Sequence, residues 1–469
     1  MDEDENILTI LSTPSADEPS QTTRLRGQAR DLISNPRGSS VETLPNTLLD
    51  LLVQVIKTLF TNTKHPSLTS TGRKALVPQP APLGTHFHSP LEDEALKPWK
   101  TTFTVPLLRY ILTSYTFLPP GERKIAIEAH FHLLVPPILN MIDDADCTYK
   151  ASGCNLLRRL CEVLISVQSE ILKRTGLAEV FVDALKANFM LLPTLTPEED
   201  SLSVLSQLYP AYLALVDARF VALGGLSSNV ATNHQTRLQA KNEIGGNTTE
   251  QAAPPSKTNT GSLKPSHSSD ELLARQSQLT ALFRHGVLAS LFHLSSSTQS
   301  FSSTISVPLT TLLLAQLPPI LSRMGITSAK HLQTFLPLLR VGLMDPFTLA
   351  APPLVLAVLA VLETVIHVCA RRVREKWFAE ILRGVVACWC NCVDELESLS
   401  SSEDKDVNRR EETRLVMRNV KAVVSVMQRL KSIVGSLGDV MGKEEWEDVK
   451  SRLVNEEEEL KGLFEDDDP

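Results

Sequence analysis

The sequence predicts an all-α protein: a HEAT-like α-solenoid of antiparallel helix pairs with a disordered internal insertion. Three observations predict it. Leucine recurs throughout while aromatic residues make up only 5% of the 469 positions, a balance that favours helix over sheet. Apolar residues follow the 3.6-residue period in segment after segment, and no run alternates convincingly at period two. The chain also exceeds the ~250–300 residues at which a single core stops growing, which favours stacked helix pairs over a closed bundle.

Residues 1–40 are acidic, then rich in Ser, Thr and Pro, with one weak helical stretch at Arg24–Ser34; they read as a flexible arm. Leu44–Phe60 is an amphipathic helix on Leu48, Leu49, Leu52, Val55, Ile56 and Leu59. Thr61–Pro98 carries Pro66, Pro78, Pro80, Pro82, Pro90 and Pro98 and reads as a long loop. Helices follow: "VPLLRYILTSYTFL", then "ERKIAIEAHFHLLVPPILNMI" with a kink expected at Pro136–Pro137, then "YKASGCNLLRRLCEVLISVQSEILKRTG" stopping at Gly176. After "LAEVFVDALKANFMLLP", Thr196, Pro197 and Glu199 stand at cap, N1 and N3 of the next helix and read as a capping box. Residues 224–268 have no aromatic and few large apolar side chains, too little to offset their ordering entropy. Helices resume at Asp270, and eight acids crowd Glu456–Asp468, which reads as a solvated tail. The expected organisation is therefore an arm at 1–40, helical halves at 41–223 and 269–440 around the insertion at 224–268, and a terminal helix with acidic tail at 441–469.

Charge and composition narrow the function. A net charge of −8 without a basic block gives no nucleic-acid footprint. The start "MDEDENILTILSTP" lacks the basic residues of a secretory signal. The longest apolar run, Leu349–Leu362, holds two prolines and falls short of the ~18 residues of a bilayer span. The expectation is a soluble, intracellular protein with no membrane partner.

The densest cluster of reactive residue types is "ILNMIDDADCTYKASGCNLLRR". As the turn of a HEAT pair, it places Asp144 or Asp146 to cap the second helix, pairs Asp146 with Lys150 at i,i+4, and lets Gly153 admit a neighbouring helix. Asp143 completes the acidic turn. "VGLMDPFTLAAPPLVLAVL" is similar, with Asp345 as cap and Pro346 at N1, but Ala351 replaces the basic residue. The sharper reading is a cation site on Asp143, Asp144, Asp146 and Cys147, yet the loop lacks the glycine and closing glutamate of a calcium loop.

Cys147, Cys154 and Cys161, and Cys388 with Cys392, fall on helix faces as small apolar residues, and Cys390 points elsewhere. His86, His88, His130 and His132 lie in no metal motif, and no phosphate loop or nucleophile elbow occurs. No cofactor, bound metal or disulfide is expected, and deletion of Asn229–Lys264 is expected to leave folding intact.

Pro137-x-Leu139, Asp143–Asp144, Lys150 and Gly153, followed by Arg174-Thr175-Gly176-Leu177 and Leu192-Pro193-Thr194-Leu195-Thr196-Pro197-Glu198, resemble the Tti-two family, the second Tel-two-interacting protein. The resemblance covers Pro136 to about Val216; the C-terminal half is similar only in being helical. It implies a non-enzymatic α-solenoid subunit of the TTT co-chaperone complex with Tti-one and Tel-two type solenoids. It also implies work with the ninety-kilodalton heat-shock chaperone on phosphatidylinositol-kinase-related kinases (TOR, ATM, ATR and relatives). Which residues bind partners does not follow from it. A HEAT scaffold for nuclear transport or phosphatase assembly, and a metal- or thiol-dependent enzyme, remain the alternatives.

Overall fold

The structure, a computed structural model, describes residues 7–13, 19–34, 44–61, 63, 65–69, 72–75, 97–193, 195–223, 267–295, 306–402 and 410–465. Among these there is no strand, only an isolated bridge between Leu68 and Lys74. The chain forms two compact units, Met1–Asn188 with Gln207–Ser277, and Phe189–Ser206 with Gln278–Pro469. The expected halves at 41–223 and 269–440 are thus not the packing units. Composition marks where a chain is polar, whereas packing assigns Phe189–Ser206 to the second unit. Residues 224–266 of the expected insertion lie outside the described residues, and its last two, His267 and Ser268, already belong to a helix.

The first unit opens with α1 (Ile7–Ser12) and α2 (Ser20–Ser34). This corrects the flexible arm at residues 7–13 and 19–34; residues 1–6, 14–18 and 35–40 lie outside the described residues. Leu11, Leu25 and Ala29 are buried, and Arg26, 2% exposed, donates to Ile10 O at 2.7 Å, Thr13 O at 3.0 Å and Thr102 Oγ1 at 2.9 Å. The Ser/Thr-rich composition hid a narrow apolar stripe. Next, α3 (Leu44–Asp50) continues through a π-helical turn, Leu51–Ile56, to Leu59. Then come α4 (Thr104–Ser114), α5 (Pro120–Ile142), α6 (Cys147–Ser166), α7 (Ile171–Thr175), α8 (Leu177–Ala187) and, from Gln207 on, the later part of α9 (Glu198–Arg219). Helices α4 and α6 pack side by side; α5 packs on α6, on α8 and on the π turn after α3. That alternation of two helix layers is the solenoid pattern.

Of the local expectations, one changes here, the unbroken helix from Tyr149 to Gly176. Pro136 and Pro137 sit inside α5, which runs through them. The single helix expected from Tyr149 to Gly176 is broken at Val167–Glu170, where Gln168 has φ 51 and Ser169 Oγ donates to Glu128 Oε1 at 2.5 Å. Gly176 does end α7, with φ +65, a left-handed conformation that L side chains rarely adopt.

The second unit holds the later part of α10 (His267–Ala281), which passes through a π turn, Leu282–Leu288, into Ala289–Leu294. It continues with α11 (Val307–Met324), a 3₁₀ segment Gly325–His331, α12 (Leu332–Met344), a 3₁₀ turn Pro346–Ala350 and α13 (Pro352–Val368). After a short turn come α14 (Phe378–Ser402), α15 (Arg410–Met441), α16 (Lys443–Glu456) and α17 (Lys461–Phe464). Helices α11, α13 and α15 stack in one layer, and α12 packs on α14 in the other. Pro120–Ile142 and Val307–Met344 are long and apolar enough to cross a bilayer by length and composition. Both bury faces rich in leucine, with isoleucine, against neighbouring helices.

The acidic tail is also corrected. Leu460, Leu463 and Phe464 are buried, and Trp389 Nε1 donates to Glu459 O at 3.1 Å. Three apolar side chains among the acids suffice to dock the segment; residues 466–469 lie outside the described residues.

Candidate functional site: the joint between α5 and α6

The acidic turn joins the last residue of α5 to the first of α6, and each of its carboxylates has its own partner. Asp146 is the N-cap of α6: its extended backbone lets Oδ1 accept from Thr148 N at 2.8 Å. Asp144 does not cap the helix. Its side chain is fully buried; Oδ1 accepts from Asp146 N at 2.9 Å and Lys100 Nζ at 3.0 Å, and Oδ2 from Lys97 Nζ at 2.6 Å. Burial pushes its pKa up, but the hydrogen bonds from Lys97, the Asp146 N–H and Lys100 outweigh it and hold the carboxyl below its ordinary value. Asp143 Oδ2 lies 2.7 Å from Nε2 of the buried His65. Because His65 Nδ1 accepts from Ser67 N at 3.2 Å, Nε2 carries the proton and donates to Asp143.

Lys150 takes a different partner from the one its spacing suggests. Its Nζ donates to Asn188 Oδ1 at 3.0 Å and to Ile142 O at 3.4 Å, not to Asp146. Asn188 Nδ2 in turn reaches Ile142 O at 3.4 Å and Ala184 O at 3.0 Å. Two donors, one cationic, therefore satisfy an orphan carbonyl at the negative end of α5. The next helix pair supplies Asn188, so the contact crosses between pairs. At Gly153 the helices touch: a Cβ there would lie 2.8 Å from Ile142 N and 2.9 Å from Met141 Cβ.

The loop expected at Thr61–Pro98 does more than connect. Residues 65–69, 72–75 and 97–103 strap the joint from outside, and 76–96 of the expected loop lie outside the described residues. Trp99 stacks on Phe60 with ring centroids 5.1 Å apart and meets Tyr149 edge-on at 5.2 Å, and Lys100 lies over the Tyr149 ring. Lys74 pairs with Glu179 at 3.4 Å. Sequence reasoning missed His65, Lys97, Trp99 and Lys100. The only available signal was an isolated Lys-Pro-Trp-Lys cluster at 97–100, which no local period explains.

The other sequence-singled residues lie apart. Asp345 Oδ1 accepts from Phe347 N at 3.1 Å with Pro346 at N1, but the element it caps is a 3₁₀ turn. Thr196, Pro197 and Glu199 do not close a capping box among the described residues. α9 starts at Glu198, and Pro197 O accepts from Ser201 N at 2.9 Å. Cys154, Cys161, Cys388 and Cys392 are buried, Cys147 and Cys390 partly so, and all are free thiols. Burial pushes Cys154 up to about 12. His130 Nδ1 meets Tyr115 Oη at 2.7 Å; His86 and His88 lie outside the described residues. Among the described residues no three His, Cys, Asp or Glu side chains are grouped to hold a metal ion. Chemically, the joint is a set of paired carboxylates, lysines and backbone groups that lock two helix pairs and a strap together.

The family model described as the Tti2 family matches residues 7–350 of the chain. No curated protein matches it.

Proposed function

Since the chain belongs to the Tti2 family, a membership that supports the role of a TTT-complex subunit, we propose that it is a non-enzymatic scaffold binding Tti-one and Tel-two type solenoids. With these and the ninety-kilodalton heat-shock chaperone, it supports folding, assembly and stability of phosphatidylinositol-kinase-related kinases, in cytoplasm and nucleus. The observation that carries this reading is the match itself, which takes in the joint, the strap and the helix pairs up to Ala350. The joint adds support of a different kind. Each carboxylate there is engaged by lysine, histidine or backbone N–H, an arrangement suited to rigidity and not to turnover. Stacked helix pairs offer long surfaces with which such a scaffold works.

An affinity purification under gentle salt tests the assembly, and depletion tests its purpose. The expected result is recovery of both solenoid partners and a joint fall in several kinases of this class with unchanged transcripts. Recovery of neither partner, with kinase levels unaltered, would leave only a generic helical scaffold. Recovery of transport or phosphatase components would favour those rival assemblies.

A further inference from the structure

Away from the joint, the second unit carries an open cleft of about 520 Å³ lined by Arg284, His285, Leu288, Phe292, Lys330 and His331, among others. Two departures from α-helical geometry build it. The π turn Leu282–Leu288 carries Arg284, His285 and Leu288, and the 3₁₀ segment Gly325–His331 ends on Lys330 and His331. Single π turns recur at functional sites. The His331 ring is held against Phe283 at 5.0 Å between centroids, and Phe283 against Phe335 at 5.6 Å. Its Nε2 is buried without a hydrogen-bond partner among the described residues.

Among the described residues no carboxylate lines this cleft. The side chains of Arg284, His285 and Lys330 make no hydrogen bond or ion pair with any described residue. In a chain of net charge −8, with acids outnumbering bases, four basic side chains gathered without an acid is an uncompensated arrangement. Burial and the charges of Lys330 and Arg284 hold the His331 pKa below its ordinary value. An anion entering the cleft offsets the mutual repulsion of Lys330, Arg284 and the imidazoles.

We propose that this cleft binds a phosphate monoester. Arg284 and Lys330 supply two fixed charges for a dianion, the guanidinium in a fork that matches phosphate oxygens. The two imidazoles supply further donors. Leu288 and the exposed Phe292 offer an apolar wall to the organic part of the ester. Both a free small molecule and a phosphorylated side chain carry this chemistry. The assignment is independent of the scaffold reading.

The test is titration of the full chain by calorimetry with inorganic phosphate, phenyl phosphate and a short phosphoserine peptide. Saturable binding is expected, tighter for phenyl phosphate than for inorganic phosphate. The peptide arm binding tighter than phenyl phosphate points to a protein source, and the reverse to a small molecule; both keep the site. Arg284→Gln and Lys330→Gln should each weaken binding by about tenfold, the loss of one charge-assisted bond. Both are surface positions, and an unchanged circular dichroism spectrum controls for folding. Lys421→Gln, exposed on α15, removes the same charge elsewhere and should leave binding unchanged. Absence of saturable binding, equal binding by the Arg284 and Lys330 variants, or equal weakening by Lys421→Gln would overturn the proposal.

Discussion

Asp144 keeps its charge with no exposed side-chain surface because three N–H donors reach it from two directions. Asp144→Ala leaves Lys97 and Lys100 facing each other over a void. The expected cost is about 2–3 kcal/mol, above the ~1 kcal/mol of a lost cap and reduced from the 3–5 kcal/mol of a fully buried pair because both lysines retain some solvent. Lys150→Glu sets a carboxylate against the Ile142 carbonyl and the negative end of α5, for about 1–2 kcal/mol. Gly153→Ala forces α6 off α5, since backbone N and a neighbouring Cβ stand within 3 Å of the new methyl; roughly 1–3 kcal/mol follows. Thermal melts of the three variants check all of these, and wild-type melting in any of them would contradict this packing.

His130 makes a pH prediction at the same scale. Burial, and then the charge of His132, lower its pKa from 6.5 to about 4, so the folded imidazole stays neutral beside the Tyr115 hydroxyl. The unfolded chain takes up that proton near 6.5. Between these values unfolding binds a proton, so stability falls as pH drops from 6.5 towards about 4. Asp144 acts lower: its depressed pKa contributes stability that is complete above the ordinary value of 3.8 and lost as pH falls below it. A melting-temperature profile should show the upper fall in wild type and lose most of it in His130→Gln.

Among the elements, the C-terminal segment gives the clearest test. Leu460, Leu463 and Phe464 are buried, and Phe464 lies edge-on to Trp446 at 5.7 Å, while the Glu459 carbonyl holds the Trp389 indole N–H. Removing residues 457–469 should cost roughly 2–4 kcal/mol after the ordering entropy of the segment is offset. Trp389 and Trp446 would meet water, so tryptophan emission should shift to the red. An unshifted spectrum would show that the segment does not dock. The helix α2 works similarly at the other end: Arg26 is tied to α1 and to Thr102, and its guanidinium lies over Phe103 at 4.8 Å.

For the whole molecule, the helix layers within each unit mean that most contacts join neighbouring helices, as in a repeat array. Far-ultraviolet circular dichroism should be dominated by helix, and a strand-dominated spectrum would contradict the fold. The joint shows how such an array is fastened. Lys150 and Asn188 tie one helix pair to the next through a single carbonyl, and the strap of 65–69, 72–75 and 97–103 closes over the turn.

The sequence by itself determined the helical class, the stop at Gly176, the turn at Asp143–Asp146 and the close approach at Gly153. These depend on local period, left-handed backbone, short-range capping and the absence of a Cβ, all carried by neighbouring residues. Family membership was legible for the same reason, in the ordered run from Pro137 to Glu198. Only the tertiary structure decided which group each acid serves. Asp144 finds Lys97 and Lys100 some 45 residues away, Asp143 finds His65 across 78 residues, and Lys150 leaves its i+4 neighbour for Asn188. It also decided that the segments Ile7–Ser12, Ser20–Ser34 and Glu458–Phe464 dock and that the packing units cut across the two halves read from composition. A few buried side chains in a polar segment suffice for docking, because the surface they cover is supplied by helices remote in the chain.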